Sequence, residues 1–219
     1  MKKSIMMLVA MLMTLFSAFA KESPGLITLV TGKTIECADI DQNIIGNKRK
    51  YKLAHKGETT SLPADEVKYY QYYIADGDST VLGVKVLRFK VCSATKFLMK
   101  GEVKILDNAG WGTVVYEGYP ASLVMVASSV YNGKNYVITY DHYVYREDWG
   151  YGISLLESHK NLAKKKMGKY MAKIFPECQD LKNLLEEKGI KGIDHFWKNA
   201  SETEGYIRFM QEFNNCIKK

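Results

Sequence analysis

Between Gly25 and Tyr151 one β-rich run follows another, with separators too short for a crossover. Parallel neighbours need connections of a dozen or more residues, so consecutive runs of this kind pair antiparallel. Leu26-Ile-Thr-Leu-Val and Thr34-Ile-Glu-Cys-Ala-Asp-Ile flank Thr31-Gly-Lys and read as a hairpin. Further strands are expected over Arg49–His55, Val67–Ile74, Val81–Val91, Phe97–Leu106, Thr113–Tyr119, Ser122–Tyr131 and Tyr136–Arg146. Turn chemistry separates them: Gly57-Glu58, Asp76-Gly77-Asp78, Asp107-Asn108-Ala109-Gly110, Tyr119-Pro120 and Asn132-Gly133. The Asn-Gly pair is the sharpest signal, because both residues accept positive φ and a type I′ turn matches strand twist.

After Trp149 the hydrophobic period changes from two to about 3.6. Ala163, Met167, Tyr170, Met171 and Ile174 form one helical stripe, and Lys160, Lys164, Lys165, Lys166, Lys169 and Lys173 occupy the other faces until Pro176. A second helix carries Cys178, Leu181, Leu184 and Leu185 toward one side and stops at Lys188-Gly189. A third begins at Ser201-Glu-Thr-Glu204, which has capping-box spacing, and buries Tyr206, Phe209, Met210, Phe213, Cys216 and Ile217. The fold class expected is α+β: an antiparallel β-meander over residues 21–151, as an open twisted sheet, sandwich or partial barrel. A three-helix region over 152–219 packs on it.

The first twenty residues read as a secretory signal. Met1-Lys2-Lys3 is basic, Ile5 to Phe16 is apolar apart from Thr14, and Ala18-Phe19-Ala20 supplies a cleavage site. The apolar run is 12 residues long, against about 20 needed to cross a bilayer, and no other stretch is long enough. No cysteine follows the cleavage site to accept lipid, so the mature chain is expected to be soluble, periplasmic or secreted. Export places Cys37, Cys92, Cys178 and Cys216 in an oxidising setting. None of them has the close C-x-x-C or histidine neighbours that metal ligation asks for, which favours structural disulfides. Cys178 and Cys216, on apolar faces of neighbouring helices, are the expected pair, the alternative being two buried thiols. Their loop of about 38 residues would contribute roughly 3.5–4 kcal/mol in the chain-entropy model. Pairing of Cys37 with Cys92 stays open.

The tyrosines carry the functional reading. Thirteen of fifteen lie between Tyr51 and Tyr151, and aromatic rings on exposed strands make platforms for sugars or peptides. The candidate binding residues are Tyr69, Tyr70, Tyr72, Tyr73, Tyr143 and Tyr145. Alternation divides Tyr140 to Arg146 into one face with Tyr140, His142, Val144 and Arg146 and another with Asp141, Tyr143 and Tyr145, so one set of rings belongs to a core.

Other chemistry is thin. The basic excess lies in the last third, with 13 basic against 8 acidic residues over 159–219 and 16 against 16 over 21–158. That helix face could meet an anionic surface, and solvation explains it as well. A charge-neutral strand region argues against nucleic acid as a partner. His55, His142, His159 and His195 are isolated, no G-x-S-x-G elbow or phosphate-cradling loop occurs, and adjacent acids such as Glu147-Asp148 diverge on regular structure. No catalytic residue, metal or cofactor is therefore assigned. Asn199-Ala-Ser201 is a glycosylation sequon whose serine already serves as a helix cap.

Gly25-Leu-Ile-Thr-Leu-Val-Thr-Gly-Lys-Thr-Ile, Leu62-Pro-Ala-Asp-Glu-Val-Lys-Tyr-Tyr, Phe175-Pro-Glu-Cys-Gln-Asp-Leu and Phe213-Asn-Asn-Cys together resemble small exported proteins of Bacteroidetes. The order Pro-Glu-Cys departs from the Asp-Cys-Pro of that group. The resemblance implies an exported location and supports the helical cysteine pair, and it transfers no activity. The expected function is an exported, non-catalytic binding or envelope-assembly module of unassigned ligand, with envelope polysaccharide or protein as the candidate partner. The alternatives are an exported hydrolase with carboxylates from separate strands, and a structural component of a cell-surface complex.

Overall fold

The computed structural model describes residues 23–41, 48–76, 79–93, 102–131, 133–155, 172–188, 196 and 198–217. The first twenty residues, read above as a signal, most of the stretch expected to form the lysine-bearing helix, Asn132, His159 and His195 lie outside the described residues. The described chain is mostly antiparallel β-sheet followed by C-terminal helices. Its strands are β1 (Gly25–Leu29), β2 (Thr34–Ile40), β3 (Lys48–Leu53), β4 (Thr59–Pro63), β5 (Val67–Asp76), β6 (Ser79–Cys92), β7 (Ile105–Tyr116), β8 (Ala121–Tyr131), β9 (Tyr136–Arg146) and β10 (Tyr151–Ser154). A helical turn at 172–174 precedes α1 (Gln179–Lys188) and α2 (Glu202–Ile217).

The sheet order is β10-β9-β8-β7-β6-β5-β1-β2-β3-β4, with β10 also pairing to β6. Two steps depart from a pure meander. After β4 the chain returns through a 3₁₀ turn at Ala64–Glu66 and sets β5 against β1, Ile27 opposite Tyr70. At the far end β10 lies antiparallel to β9 and parallel to β6, with Gly152 opposite both Tyr145 and Val91. Short separators constrain only consecutive strands, and β6 and β10 are joined through all of β7 to β9. The five strands β6 to β10 thereby form a closed ring, and the β region runs through Ser154 rather than ending at Tyr151.

No reversing turn forms at Asp107–Gly110: the segment lies within β7, but the register to β6 breaks there, from Ala109 opposite Lys90 to Ile105 opposite Cys92, leaving a bulge at 106–108. The ladder resumes at Ala109, with Phe89 opposite Gly110 and Arg88 opposite Trp111, so the chain continues along β6 instead of reversing. Trp111 also packs 5.4 Å from Tyr70. Cross-strand pairing here outweighs local turn propensity. Where no ladder competes the turn signals hold: Gly32, Gly57 and Gly133 all have positive φ.

Ring closure separates inside from outside. Leu87, Phe89 and Val124 fill the interior. Gly152 leaves room for them, since a Cβ there would sit 2.8 Å from the Phe89 ring. Outside, Ala121, Leu123, Val144, Ile153 and Leu155 join Ile174, Phe175, Tyr206, Phe209, Met210 and Phe213 in the largest core. The helices therefore cover the outer face of β8 to β10. A separate core, with Ile27, Cys37, Ile40, Tyr51, Val67, Tyr70 and Val86, belongs to the N-terminal strands.

Three devices fasten the helices. The Cys178–Cys216 disulfide joins the residue before α1 to the last turn of α2, with a Cα–Cα distance of 5.9 Å. The Asn214 side chain is buried and binds the backbone of Ala121 twice: its Oδ1 accepts from the amide at 3.2 Å and its Nδ2 donates to the carbonyl at 2.8 Å. Gly118 lies where any Cβ would collide with that amide. Arg146 is buried and donates to Glu177 Oε1 at 2.6 Å and to both Asp148 oxygens at 3.0 and 2.7 Å. Its guanidinium lies 4.4 Å over Trp149 and 5.6 Å from Phe213. The capping box forms as the spacing predicts, Glu204 N–H donating to Ser201 Oγ and Ser201 N–H to Glu204 Oε2.

Asn214→Ala leaves the Ala121 amide and carbonyl buried without this partner, and chemical denaturation should show a loss of about 1–3 kcal/mol. A loss below a few tenths would mean that water replaces the amide. The Arg146 hydrogen bond holds the Asp148 carboxyl below its usual range, burial opposing. A carboxyl lowered on folding stabilises the fold above its unfolded value and loses that contribution as pH falls through its folded value. The denaturation midpoint should fall more steeply in the wild type than in Asp148→Asn as pH drops below the ordinary carboxylate range. Parallel pH profiles would remove Asp148 from the acid response.

Candidate functional site

The inward-facing residues of β9 and β6 meet around one ring. Tyr143 and Tyr145 alternate inward on β9, and their rings lie 5.3 and 6.2 Å from Phe89 in edge-on contacts. Tyr69 on β5 stands opposite Leu87 on β6, so it continues the same face beyond the ring. Phe89, Leu87 and Val124 are buried beneath, while Tyr69, Tyr143 and Tyr145 are half-buried. Large apolar faces with polar tips thus stand around a solid floor.

Two ion pairs border these tyrosines. Lys85 Nζ lies 4.2 Å over the Tyr69 ring and donates to Glu117 Oε1 at 2.6 Å. Lys68 Nζ donates to Glu147 Oε1 at 3.0 Å. Partly exposed pairs contribute little to stability, so their consequence is local polarity. Burial raises the Tyr145 phenol, Glu147 raises it further, and Lys68 opposes. The hydrogen bond to Glu147 raises the Lys68 ammonium against the opposing effect of its partial burial. The arrangement offers stacking surface beside both donors and acceptors, and places no activated nucleophile among them.

The six candidate tyrosines separate according to strand parity. Tyr69, Tyr143 and Tyr145 come together in this cluster. Tyr70 is buried in the N-terminal core, 5.3 Å from Tyr72 and 5.4 Å from Trp111, and Tyr72 packs against that same core. Tyr73 is half-buried opposite Leu82 on the β5–β6 hairpin, with its N–H donated to Pro24. Sequence reasoning did not select Phe89, Lys68, Lys85, Glu117 or Glu147. The alternation of Val81 to Val91 could have placed Phe89 inside, whereas the lysine and glutamate partners come from distant strands and leave no local signal.

The remaining titratable groups serve packing. His142 is buried outside the ring, its Nε2 2.9 Å from Thr203 Oγ1 and its ring 5.2 Å from Tyr206. Cys37 and Cys92 are free buried thiols in two different cores. Burial, then Asp39 and Glu36, push the Cys37 thiol up to about 11, and burial raises Cys92. Neither is poised as a thiolate nucleophile. Glu147 and Asp148 diverge, one to Lys68 and the other to Arg146. Among the described residues no group of three His, Cys, Asp or Glu is placed to hold a metal, and no helix is long and apolar enough to cross a membrane.

No protein-family model, no curated protein and no solved structure matches this chain.

The electrostatics can be read at a single phenol. Glu147→Gln removes a charge that raises Tyr145, so its ionisation should move to lower pH. Lys68→Met removes the opposing charge and should move it upward. Ring-carbon chemical shifts of Tyr145 followed through alkaline titration measure both, and identical titrations in the two variants would separate Tyr145 from the ion pair.

Proposed function

We propose that this protein is an exported, non-catalytic binding module that holds envelope polysaccharide on Tyr69, Tyr143 and Tyr145. One observation carries the reading: three half-buried tyrosines from two strands, Tyr69 on β5 and Tyr143 and Tyr145 on β9, share one face around Phe89, bordered by the Lys68–Glu147 and Lys85–Glu117 pairs. Sugar rings present an apolar face and a hydroxyl edge, which suit an aromatic floor with mixed charges at its margin. The signal-like first twenty residues and the Cys178–Cys216 disulfide support export. The segments that resemble exported Bacteroidetes proteins support the same location. The apolar stripe from Ala163 to Ile174 would supply the third helix of the cover in this reading.

A second reading has a specific observation in its favour. Glu117 and Glu147 follow the ends of different strands, β7 and β9, as an exported hydrolase with carboxylates from separate strands would require. Each accepts from a lysine, at 2.6 and 3.0 Å respectively. A structural role in a cell-surface complex is the third reading, and it would leave the tyrosines unused.

Immobilised protein should retain one or more cell-envelope polysaccharide fractions. Tyr143→Ala and Tyr145→Ala should each weaken retention about threefold to tenfold, the range for loss of one aromatic contact. Release of reducing ends would establish the hydrolase. Failure of the wild type to retain any fraction, or equal retention by the alanine variants, would remove the binding reading.

A further inference from the structure

We infer that the outer part of the β8–β9 hairpin is the contact surface of a two-fold dimer, formed when β8 of one copy pairs antiparallel with β8 of a second. The inference starts from an open edge. β7 pairs with β8 only between Thr113 and Tyr116 on one strand and Leu123 and Met125 on the other. The β8–β9 ladder continues far beyond, to Tyr131 opposite Tyr136. From Val126 to Tyr131 the other edge of β8 therefore has no strand partner among the described residues.

Edges of this kind template pairing unless they are blunted. Folded proteins blunt them with lysine, proline, bulges or very short strands. Val126-Ala-Ser-Ser-Val-Tyr131 has no charge and no proline, and its ladder to β9 is regular. The face beside it is apolar and bare: Tyr131, Tyr136 and Ile138 are 58%, 75% and 61% exposed. Strand parity puts them on the side that carries His142, Val144 and Arg146 beneath the helices, so an apolar stripe runs out past its cover.

A second copy fits this edge better than an unrelated strand does. A two-fold axis perpendicular to the sheet pairs like faces, so both exposed stripes fall on one side. Centring the axis on Ser129 sets Ser129 opposite its mate and Ala127 opposite Tyr131, small against large, with no charge facing a charge. The result is a four-stranded β9-β8-β8-β9 sheet whose Tyr131, Tyr136 and Ile138 stripes become continuous. The surface is separate from the Tyr69–Tyr143–Tyr145 cluster, and its failure would leave the binding proposal intact.

Sedimentation velocity on the purified protein tests this directly. The wild type should sediment as a dimer at tens of micromolar, and Ser129→Lys, which sets two ammonium groups opposite one another, should weaken association at least tenfold with unchanged thermal unfolding. Ser129→Cys should cross-link between copies under mild oxidation, because directly opposed residues lie within disulfide reach. A monomeric wild type, or a lysine variant that still dimerises, would overturn the proposal. Should the lysine variant not fold, absence of the cross-link in Ser129→Cys overturns it, and capture of a foreign strand by a monomeric protein does the same.

Discussion

Everything on the C-terminal side of this molecule depends on four buried residues. Tyr151 to Ser154 pair with β9 on one side and Tyr151 to Ile153 with β6 on the other, and that double pairing turns a row of hairpins into a closed ring. Before closure the two faces of β9 are equivalent. Afterwards one faces Phe89 and the other faces helices. Gly152 makes the closure sterically possible, because the interior at that point is already filled by the Phe89 ring. A small closed β-ring has space for side chains only, so its contents function as packing except where they emerge at an end. Tyr143 and Tyr145 keep part of their surface in solvent.

The outer face needs cover, and the helices supply it by fastening at points of high local cost. A buried guanidinium such as Arg146 is tolerable only with its charges and hydrogen bonds satisfied, and Asp148 and Glu177 provide them from both sides of the β–helix junction. Asn214 imitates a strand neighbour by offering Ala121 both an acceptor and a donor. The disulfide closes a 38-residue separation and keeps the ends of α1 and α2 adjacent. Four residues of α2 with no exposed surface, Tyr206, Phe209, Met210 and Phe213, supply the apolar burial that these contacts orient.

Local chemistry was legible where one strand or helix decides the outcome. The α2 stripe, the capping box, the Thr31-Gly-Lys hairpin and the alternation from Tyr140 to Arg146 all follow from spacing within a single element. Legibility ends where separate segments must meet. β10 is four residues long and has no periodicity to reveal it, the β6–β10 pairing depends on closure, and the β1–β5 pairing depends on the chain's return past β2 to β4. Asp107-Asn108-Ala109-Gly110 is turn-forming in isolation and a register break within β7 in place, because β6 offers a ladder on both sides of it. The tyrosines show both regimes. Alternation separates Tyr70 and Tyr72 from Tyr69, but nothing local brings Tyr69 beside Tyr143 and Tyr145.

The same strand therefore serves two unrelated purposes at successive positions. On β9 His142, Val144 and Arg146 are buried under the helices, while Tyr143 and Tyr145 remain half-exposed beside Phe89. Changes at the first set act on helix docking, and changes at the second act on the cluster with the helices left in place. This separation makes a tyrosine-centred binding role tenable on a fold whose core is also aromatic. Truncating a core ring leaves a cavity under two layers of structure, whereas truncating Tyr143 or Tyr145 removes surface that already touches solvent. A ring on the exposed side can thus change with the ligand while the strand that carries it keeps the fold.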